Sequence, residues 1–419
     1  MKKTLIALAA LAATASFAQS SVSIIGTLDI GVKATSAPTN TGAGGTANAS
    51  NVVINGNNTA TSGVKFVGVE DLGGGMKANF LLEINPNIAQ SSTADTAGTF
   101  SSTFNGTPFN GEQYLGLSGN FGDVKLGAPN AGFFGVAMMA SPLGTAMGSG
   151  YGAGGISRLG TVAPGVVSGV NSGTARIVRH ERSIAYTTPN FSGFTAQIDY
   201  AAKNDNNVGA TNAAAGSNTD GYASATLKYS KGPLNVAYAY AQSSFGSNNI
   251  QLLGTGPGTF SNQSSAINAY DGTYNYNILA GNYNFGAATV YAGYTRTLSS
   301  GNVAPEDSSS WNIAGKYTMG AIDLLANYLV RTSNLSATSA YAFNAATVTT
   351  GTGAAVTGAL ANNAKVIGLG ADYNLSKRTA LTARYELADV NTDSKFATAS
   401  STVGGSITNA FAVGIRHTF

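Results

Sequence analysis

The sequence predicts an all-β fold, a transmembrane antiparallel β-barrel of about 16 strands. Three observations predict it. Uncharged stretches such as 126–157 and 232–270 are too rich in Gly, Ser or Asn to be spanning helices. Apolar and polar residues instead alternate with a period of two, and short connections alternate with long ones along the chain.

The N-terminal residues are expected to be a separate segment. Two lysines precede an apolar run at 5–13, and the small residues Ser16 and Ala18 suit a signal peptidase. We therefore expect residues 1–18 to be a secretory signal peptide and residues 19–419 to be the barrel domain. Loss of the two lysines leaves basic and acidic side chains almost equal in number, which gives no electrostatic case for nucleic-acid binding.

Composition argues against enzyme chemistry. The 419 residues include no Cys, so the chain cannot form a thiolate site. Its two histidines, His180 and His417, lie far apart in sequence, which argues against a histidine relay. With 43% apolar and 10% charged residues, the chain is also unlike a disordered protein. Glu70 and Asp71 lie at a tight turn, where carboxylates commonly cap backbone groups. We expect no catalytic residue, no metal and no organic cofactor.

Period-two alternation places apolar side chains on one face of each strand and small or charged side chains on the other. The apolar faces of four such strands are Met76, Ala78, Phe80 and Leu82; Phe194, Ala196, Ile198 and Tyr200; Leu234, Val236, Tyr238 and Tyr240; and Leu381, Ala383 and Tyr385. A soluble β-sandwich also alternates. Tyrosine, however, ends one apolar face after another, and this repetition favours the aromatic belts of a membrane barrel over a sandwich core.

The connections predict the strand number. The short ones lie at 71–75, 118–123, 189–193, 230–233, 284–286, 319–320 and 374–377, and the long ones at about 34–61, 86–111, 128–176, 202–220, 243–273, 297–309, 332–364 and 390–407. This alternation indicates about 16 antiparallel strands with both termini on the side of the short turns. Because hydrocarbon leaves no partner for unpaired backbone groups, such a sheet must close, and a ring of this size encloses water.

Five segments carry a resemblance to a known family. They are SVSIIGTLDIGV at 21–32, VEDLGGGMKANFLLE at 69–83, YLGLSGNFGDVKLG at 114–127, SIAYTTPNFSGFTAQIDY at 183–200 and GIRHTF at 414–419. With them, the mature chain resembles the trimeric, sixteen-stranded general porins of Gram-negative bacteria, of the β-proteobacterial type.

The resemblance implies a function and a location. A porin is a multi-pass protein of the outer membrane whose water-filled channel passes ions and small hydrophilic solutes by diffusion. The resemblance further implies a homotrimer that contacts outer-membrane lipid and lipopolysaccharide, and a C-terminal signal at Phe419 that the outer-membrane assembly machinery recognises. In this family the third extracellular loop, here about 128–176, folds into the lumen and constricts it.

The candidate constriction residues are charged. Alternation places Lys65, Lys125 and Arg179 on the lumen face, and Arg158 lies in the third loop. Glu83 and Glu181 are the candidates for the negatively charged side of the constriction. Each is more often a solvated lumen or loop charge than a member of the constriction. The third loop itself contains no Asp or Glu.

Phe133 and Phe134 lie in a third loop built otherwise of small residues. We interpret both as anchors that pack this loop against the wall, with substrate stacking as the alternative.

Weighing the predicted lumenal charges gives a weak anion preference. The bases are Lys65, Lys77, Lys125, Arg158, Arg179 and Arg384, and the acids are Asp29, Glu83, Glu112 and Glu181. Two alternatives to a general diffusion channel remain open: a surface barrel whose long loops are adhesive or structural, and a porin specific for one substrate.

Overall fold

The computed structural model describes residues 20–40, 46–86, 88–89, 109, 111–144, 146–150, 178–202, 221–245, 272–301, 307–333, 362–392 and 406–419. The predicted signal peptide lies outside these residues. Within them are 17 strands and one short helix, α1 (Gly132–Met138). The strands are β1 (Ser21–Asn40), β2 (Thr46–Gly56), β3 (Gly63–Gly73), β4 (Met76–Ile84), β5 (Gln113–Gly119), β6 (Gly122–Ala128), β7 (Ser183–Thr187), β8 (Phe194–Ala201), β9 (Gly221–Lys231), β10 (Leu234–Phe245), β11 (Gly272–Asn284), β12 (Ala288–Gly301), β13 (Asp307–Met319), β14 (Ile322–Ser333), β15 (Asn362–Asn374), β16 (Thr379–Thr392) and β17 (Ser406–Thr418).

The strands form one closed antiparallel ring. Each strand from β3 to β17 pairs with the next, and β17 returns to pair with β1 from Thr27 opposite Thr418 to Ser36 opposite Asn409. The other edge of β1 pairs with β3 near the turns and with β2 near the loops. Because β2 and β3 lie end to end along β1, they share one position in the ring. The barrel therefore has sixteen positions, and the predicted all-β fold is confirmed.

Residues 57–62 separate β2 from β3, and we call them the strand break. Asn57 adopts a left-handed backbone conformation (φ 62°) that is uncommon outside glycine. Its side-chain Oδ1 accepts the backbone N–H of Ser62 at 2.7 Å, which ties the two ends of the break together. The ladder along β1 is thus interrupted by a specific hydrogen-bonded turn.

The two faces of the wall follow the predicted alternation. Apolar side chains at alternate positions are exposed on the outside, as Phe194, Ile198 and Tyr200 are on β8. Their neighbours point inward, where Asp199 is buried. Outward aromatic residues form two belts, which are Tyr229, Tyr283, Tyr317 and Tyr373 near the turns and Tyr200, Tyr240, Tyr294, Trp311, Tyr328 and Tyr385 nearer the loops. This arrangement is that of a barrel in lipid.

The turns and loops also follow the prediction, with one difference. Short turns connect β3 to β4, β5 to β6, β7 to β8, β9 to β10, β11 to β12, β13 to β14 and β15 to β16. The start of β1 and the end of β17 lie on the same side of the barrel as these turns. The predicted loop at 34–61, however, is largely strand, because β1 pairs with β2 from Ile30 opposite Gly56 to Asn40 opposite Thr46. The run Val52-Val53-Ile54 supplies β-branched residues that favour this extension of the hairpin. Among the described residues, no helix is long and apolar enough to cross a membrane.

The ring closes on the last residue of the chain. The backbone N–H of Gly26 donates to the carbonyl of Phe419 at 2.9 Å, and the N–H of Phe419 donates to the carbonyl of Gly26 at 3.0 Å. The Phe419 ring lies directly over Gly26, where a Cβ atom would be 2.7 Å from the ring and 2.5 Å from the carbonyl oxygen of Gly63. The ring of Phe80 covers Gly68 in the same way on the adjacent strands. Glycine is therefore required at both positions, and we call the junction of β1 with β17, where Phe419 covers Gly26, the seam.

Substituting Gly26→Ala should destabilise the closed barrel by about 1–3 kcal/mol, because the new methyl group overpacks the seam. Gly315→Ala is a matched control within the wall, since the nearest atom to its added Cβ is 3.9 Å away. The urea midpoint for loss of the folded band in unheated electrophoresis measures the difference. Equal midpoints for the two variants would contradict the packing argument.

Candidate pore constriction

The described part of the connection between β6 and β7, residues 129–144, 146–150 and 178–182, enters the barrel and runs along its inner wall, and we call it the inner loop. Its helix α1 packs on wall strands that carry small inward residues, which leaves room for it. The ring of Phe133 is 1% exposed and meets the ring of Tyr276 edge to face at 6.1 Å. The buried residues around it are Ala131, Val136, Ala137, Ala140, Ala201, Tyr222, Ala237, Ala239, Ala241, Tyr274, Ile278 and Ala280. This apolar cluster fixes the first part of the inner loop.

The wall also satisfies the polar backbone of the inner loop. Three inward asparagines donate side-chain N–H groups to its carbonyl oxygens. The pairs are Asn282 to Met139 (3.4 Å), Asn312 to Ala140 (2.7 Å) and Asn327 to Gly148 (3.0 Å) and Ser149 (3.2 Å). Because buried carbonyl groups without partners are costly, these amides determine where along the wall the loop can lie.

Carboxylates accept the backbone N–H groups of the loops. Asp199 accepts from Gly132 at 2.9 Å, which satisfies one free donor at the start of α1. The other pairs are Glu386 with Gly148 (2.6 Å), Glu112 with Asn130 (3.0 Å), Glu83 with Glu112 (2.8 Å) and Asp29 with Ala60 (2.8 Å). Charge-assisted bonds of this kind are stronger than neutral ones. Five inward acids are therefore bound to backbone donors.

Residues 146–150 of the inner loop reach the opposite part of the ring. The backbone N–H of Met147 donates to the carbonyl of Asn58 in the strand break at 3.3 Å. The Met147 side chain is buried with Ala410 and Ala412 of β17. The loop therefore follows the inner wall from β8 to β17 and narrows the lumen along that path.

Ion pairs line the rest of the inner wall, and in three of them the cation is the more exposed partner. Lys65 is 3.4 Å from Glu83, and their side chains are 33% and 11% exposed. The corresponding values are 36% and 16% for Lys316 and Asp323 (3.3 Å), and 27% and 6% for Arg416 and Asp372 (3.2 Å). Asp372 also pairs with the buried Arg384 at 2.6 Å. In these three pairs the base thus meets lumenal water more than the acid does, whereas in the pair of Lys125 and Asp123 the acid is slightly more exposed, at 30% against 27%.

The structure places the predicted charged residues at different depths. Lys65 and Glu83 form one pair, while Lys125 pairs with Asp123 at 3.5 Å and lies 4.5 Å from the Tyr114 ring centroid. The first two are on β3 and β4, away from Lys125 on β6.

The remaining predicted charges belong to the inner loop and its return. Arg179 lies where the loop returns to the wall, with Nη1 3.3 Å from Asn130 Oδ1. Glu181 is exposed in the turn before β7. Arg158 lies outside the described residues.

The two loop phenylalanines have different environments. Phe133 is fully packed against the wall, whereas Phe134 is half-buried. Sequence reasoning named neither Asp199 nor Glu386 nor the three asparagines as site residues. Alternation places all of them on the inward face, and that signal could have identified them as lumenal.

The fold and site together define a class of protein, a loop-constricted transmembrane β-barrel. Residues 4–393 match the profile of the Gram-negative porin family. The chain belongs to this family and is a protein of the Gram-negative outer membrane.

Individual proteins support this assignment. Outer membrane porin protein 32 of Delftia acidovorans is 33% identical over 245 residues, which are 58% of this chain and 60% of that protein. An outer membrane porin protein of Bordetella pertussis is 29% identical over 315 residues, 71% of this chain and 70% of that protein.

Solved structures share the fold. The anion-selective porin from Comamonas acidovorans superposes with a TM-score of 0.64 at 23% identity, over 96% of this chain and 100% of that one. The trimer form of OmpT of Vibrio cholerae has a TM-score of 0.58 at 16% identity, over 96% and 100% of the two chains.

Substituting Phe133→Ala should weaken docking of the inner loop by about 3–5 kcal/mol, since it empties a fully packed site. Phe134→Ala is the matched control, and its half-buried ring should cost less. The rate of limited proteolysis within the inner loop reports docking. A faster cleavage of the Phe134 variant than of the Phe133 variant would contradict the assignment of Phe133 as the main anchor.

Proposed function

We propose that this porin is a water-filled channel through which ions and small hydrophilic solutes diffuse passively. The observation that carries the proposal is a closed ring of sixteen positions whose inner loop is held along the wall. Side chains cannot fill a ring of this width, so water occupies what the loop leaves free. We assign no catalytic residue, metal or organic cofactor to it.

The proposed channel has a weak preference for anions. Five inward carboxylates bind backbone N–H groups, whereas Lys65, Lys316 and Arg416 keep a quarter to a third of their side chains exposed. A low-dielectric wall focuses the field of the exposed charges into the lumen. The similar Comamonas porin is described as anion-selective, and we propose the same direction here.

We propose that the narrowest part is bounded by the inner loop on one side and basic side chains on the other. Its candidate bases are Lys65, Lys125, Arg158 and Arg179, and its candidate acids are Glu83 and Glu181. Support comes from the inward position of Lys65, Lys125 and Glu83 and from the place of Arg179 at the return of the inner loop.

A homotrimer is proposed because the aromatic belts are interrupted. Among the described residues, β17 and β1 to β6 carry no outward Tyr or Trp, and we call this face the belt-free sector. Its exposed residues include Val22, Ile24, Val32, Val52, Ile54, Leu115, Leu117, Leu126, Val413 and Ile415. Tyrosine and tryptophan mark surfaces that meet the lipid interface, so their absence here indicates contact with other copies of the chain.

Two further partners follow from the proposed location. The aromatic belt nearer the loops would meet lipopolysaccharide in the outer leaflet, and the belt near the turns would meet lipid at the periplasmic interface. Phe419, which directly follows the closing strand β17, is proposed as the signal that the outer-membrane assembly machinery recognises. Its exchange of two backbone hydrogen bonds with Gly26 supports a role at the final closing step.

Reversal potentials in a KCl gradient across a planar bilayer test the channel and its selectivity together. The wild type should conduct in stable steps with a small anion preference. Combining Lys65→Gln, Lys125→Gln and Lys316→Gln should lower the anion-to-cation permeability ratio roughly twofold, because the exposed lumenal cations are removed. Lys231→Gln, at the outward register of an exposed turn, is the control.

Each outcome of that experiment decides something. Clear cation preference of the wild type would contradict the proposed selectivity. An unchanged anion-to-cation permeability ratio in the triple variant would show that these three lysines do not determine selectivity. An absence of any conductance would favour a surface adhesive or structural barrel, and saturable block by one solute would indicate a substrate-specific porin.

Unheated denaturing electrophoresis tests the trimer. The wild type should migrate well above the position of its monomer, which is no heavier than the 42.2 kDa of the full 419-residue chain. Leu115→Asn, in the belt-free sector, should abolish the slow band, because a polar group is then buried between subunits. Leu279→Asn, at an exposed leucine of the lipid-facing wall (52%, against 63% for Leu115), should leave it in place. Loss of the band in the Leu279 variant alone would contradict this assignment of the subunit contact.

A further inference from the structure

The outer wall carries a group of polar side chains towards the loops on β10 to β13. Two residues beyond each belt aromatic, a step of about 7 Å along a strand, the outward side chain becomes polar. The pairs are Tyr240 with Gln242 on β10, Tyr294 with Arg296 on β12 and Trp311 with Ser309 on β13. We call six outward residues of these strands the polar patch: Gln242, Asn275, Asn277, Arg296, Asp307 and Ser309.

The register of the sheet brings these side chains together. Asn277 of β11 lies opposite Tyr240 of β10 on one side and opposite Arg296 of β12 on the other. Arg296 in turn lies opposite Ser309 of β13. Directly opposite residues of neighbouring strands have Cβ atoms about 5 Å apart. The polar patch is therefore one continuous surface on the outside of four adjacent strands.

Hydrogen bonds orient the amides of the polar patch. The hydroxyl of Tyr238 donates to Asn277 Oδ1 at 2.7 Å, and the hydroxyl of Tyr240 donates to Asn275 Oδ1 at 2.8 Å. Gln242 Nε2 also donates to Asn275 Oδ1 at 2.8 Å. The amides are thus held in one orientation before any ligand binds, which lowers the entropy that a ligand has to overcome.

Other groups of the polar patch have no hydrogen-bond partner within the part of the chain that the structure describes. They are Asn277 Nδ2, Gln242 Oε1 and the N–H groups of Arg296 other than the Nη2 that lies 3.3 Å from Asp307. In that ion pair the guanidinium is the more exposed partner, at 46% against 34%. The polar patch therefore offers amide and guanidinium donors and an amide acceptor to a molecule outside the wall.

The chemistry and position of the polar patch narrow the class of ligand. Amides can donate to and accept from hydroxyl groups, and a guanidinium suits phosphate. Lipid acyl chains offer neither, whereas a phosphorylated saccharide offers both. The polar patch also lies on the loop side of the barrel, away from the turns and both chain termini, and this is the side proposed to face the outer leaflet.

We propose that the polar patch binds the phosphorylated saccharide headgroup of one lipopolysaccharide molecule on each barrel. Arg296 contacts a phosphate group, and Asn277 and Gln242 contact sugar hydroxyl groups. The inference rests on the proposed lipopolysaccharide partner and names the part of the wall that binds it. Lipopolysaccharide is then a ligand of a defined site on this wall, distinct from the lipid that surrounds the rest of the barrel.

Trp311 can report this binding. It is the single Trp of the chain, its side chain is exposed, and it lies two residues from Ser309 on the same outward register. Its fluorescence is followed while purified lipopolysaccharide, or phosphatidylglycerol as another anionic lipid, is titrated into the folded protein in detergent micelles. The wild type should bind lipopolysaccharide at least tenfold more tightly, since phosphatidylglycerol has fewer hydroxyl groups for the amides.

Two sets of substitutions separate the parts of the site. Arg296→Gln should weaken lipopolysaccharide binding about fivefold, because it removes a charge-assisted bond to phosphate. Lys365→Gln is the matched control, at an exposed outward base of β15 outside the polar patch, and should leave the affinity unchanged. Combining Gln242→Leu with Asn277→Leu should weaken lipopolysaccharide binding about threefold and leave phosphatidylglycerol binding unchanged.

The outcomes separate the site from the partner and from the channel. Equal binding of the two lipids by the wild type would overturn this inference together with the proposed lipopolysaccharide partner. Preferential binding that neither set of patch substitutions weakens, or that Lys365→Gln weakens as much as Arg296→Gln, would overturn the site alone. All these variants face away from the lumen, so they should conduct like the wild type. A wild type that binds lipopolysaccharide but does not conduct would contradict only the proposed channel.

Discussion

Every feature of this barrel depends on the requirement that backbone groups in hydrocarbon be paired. An unpaired N–H or C=O there costs several kcal/mol, so the sheet has to continue until it meets itself. The pairing of β17 with β1 completes that ring, and the exchange between Gly26 and Phe419 places the last residue of the chain within it. Closure then separates an outward face that meets lipid from an inward face that meets water.

The same requirement operates inside the barrel, on the inner loop. A chain segment that lies along the wall loses the hydrogen bonds that water makes to its backbone, and side chains of the wall have to replace those bonds. Asn312 and Asn327 donate to loop carbonyl groups, while Asp199 and Glu386 accept loop N–H groups. These lumenal amides and acids therefore hold the inner loop in place, in addition to any effect that they have on permeation.

The sequence predicted the wall well and the loop contacts poorly, for one physical reason. Alternation and turn spacing are local signals, and they identified the strands, their number and their faces. The strand break and the extended first hairpin were missed within the segment taken as the loop 34–61, because polar and small residues there read as loop. The backbone N–H of Gly148 donates to Glu386, which is 238 positions away in the sequence. No local sequence pattern predicts a contact over that separation.

The binding of acids to backbone donors also supports the anion preference proposed for this nearly neutral chain. Lys65 and Glu83 face each other across β3 and β4, and an isolated pair of this kind would present no net field. Glu83, however, also accepts the N–H of Glu112, which holds it at the wall, and its side chain is less exposed than that of Lys65, at 11% against 33%. The proposed selectivity therefore depends on which partner of each pair is bound to the wall, and an equal count of acids and bases does not cancel it.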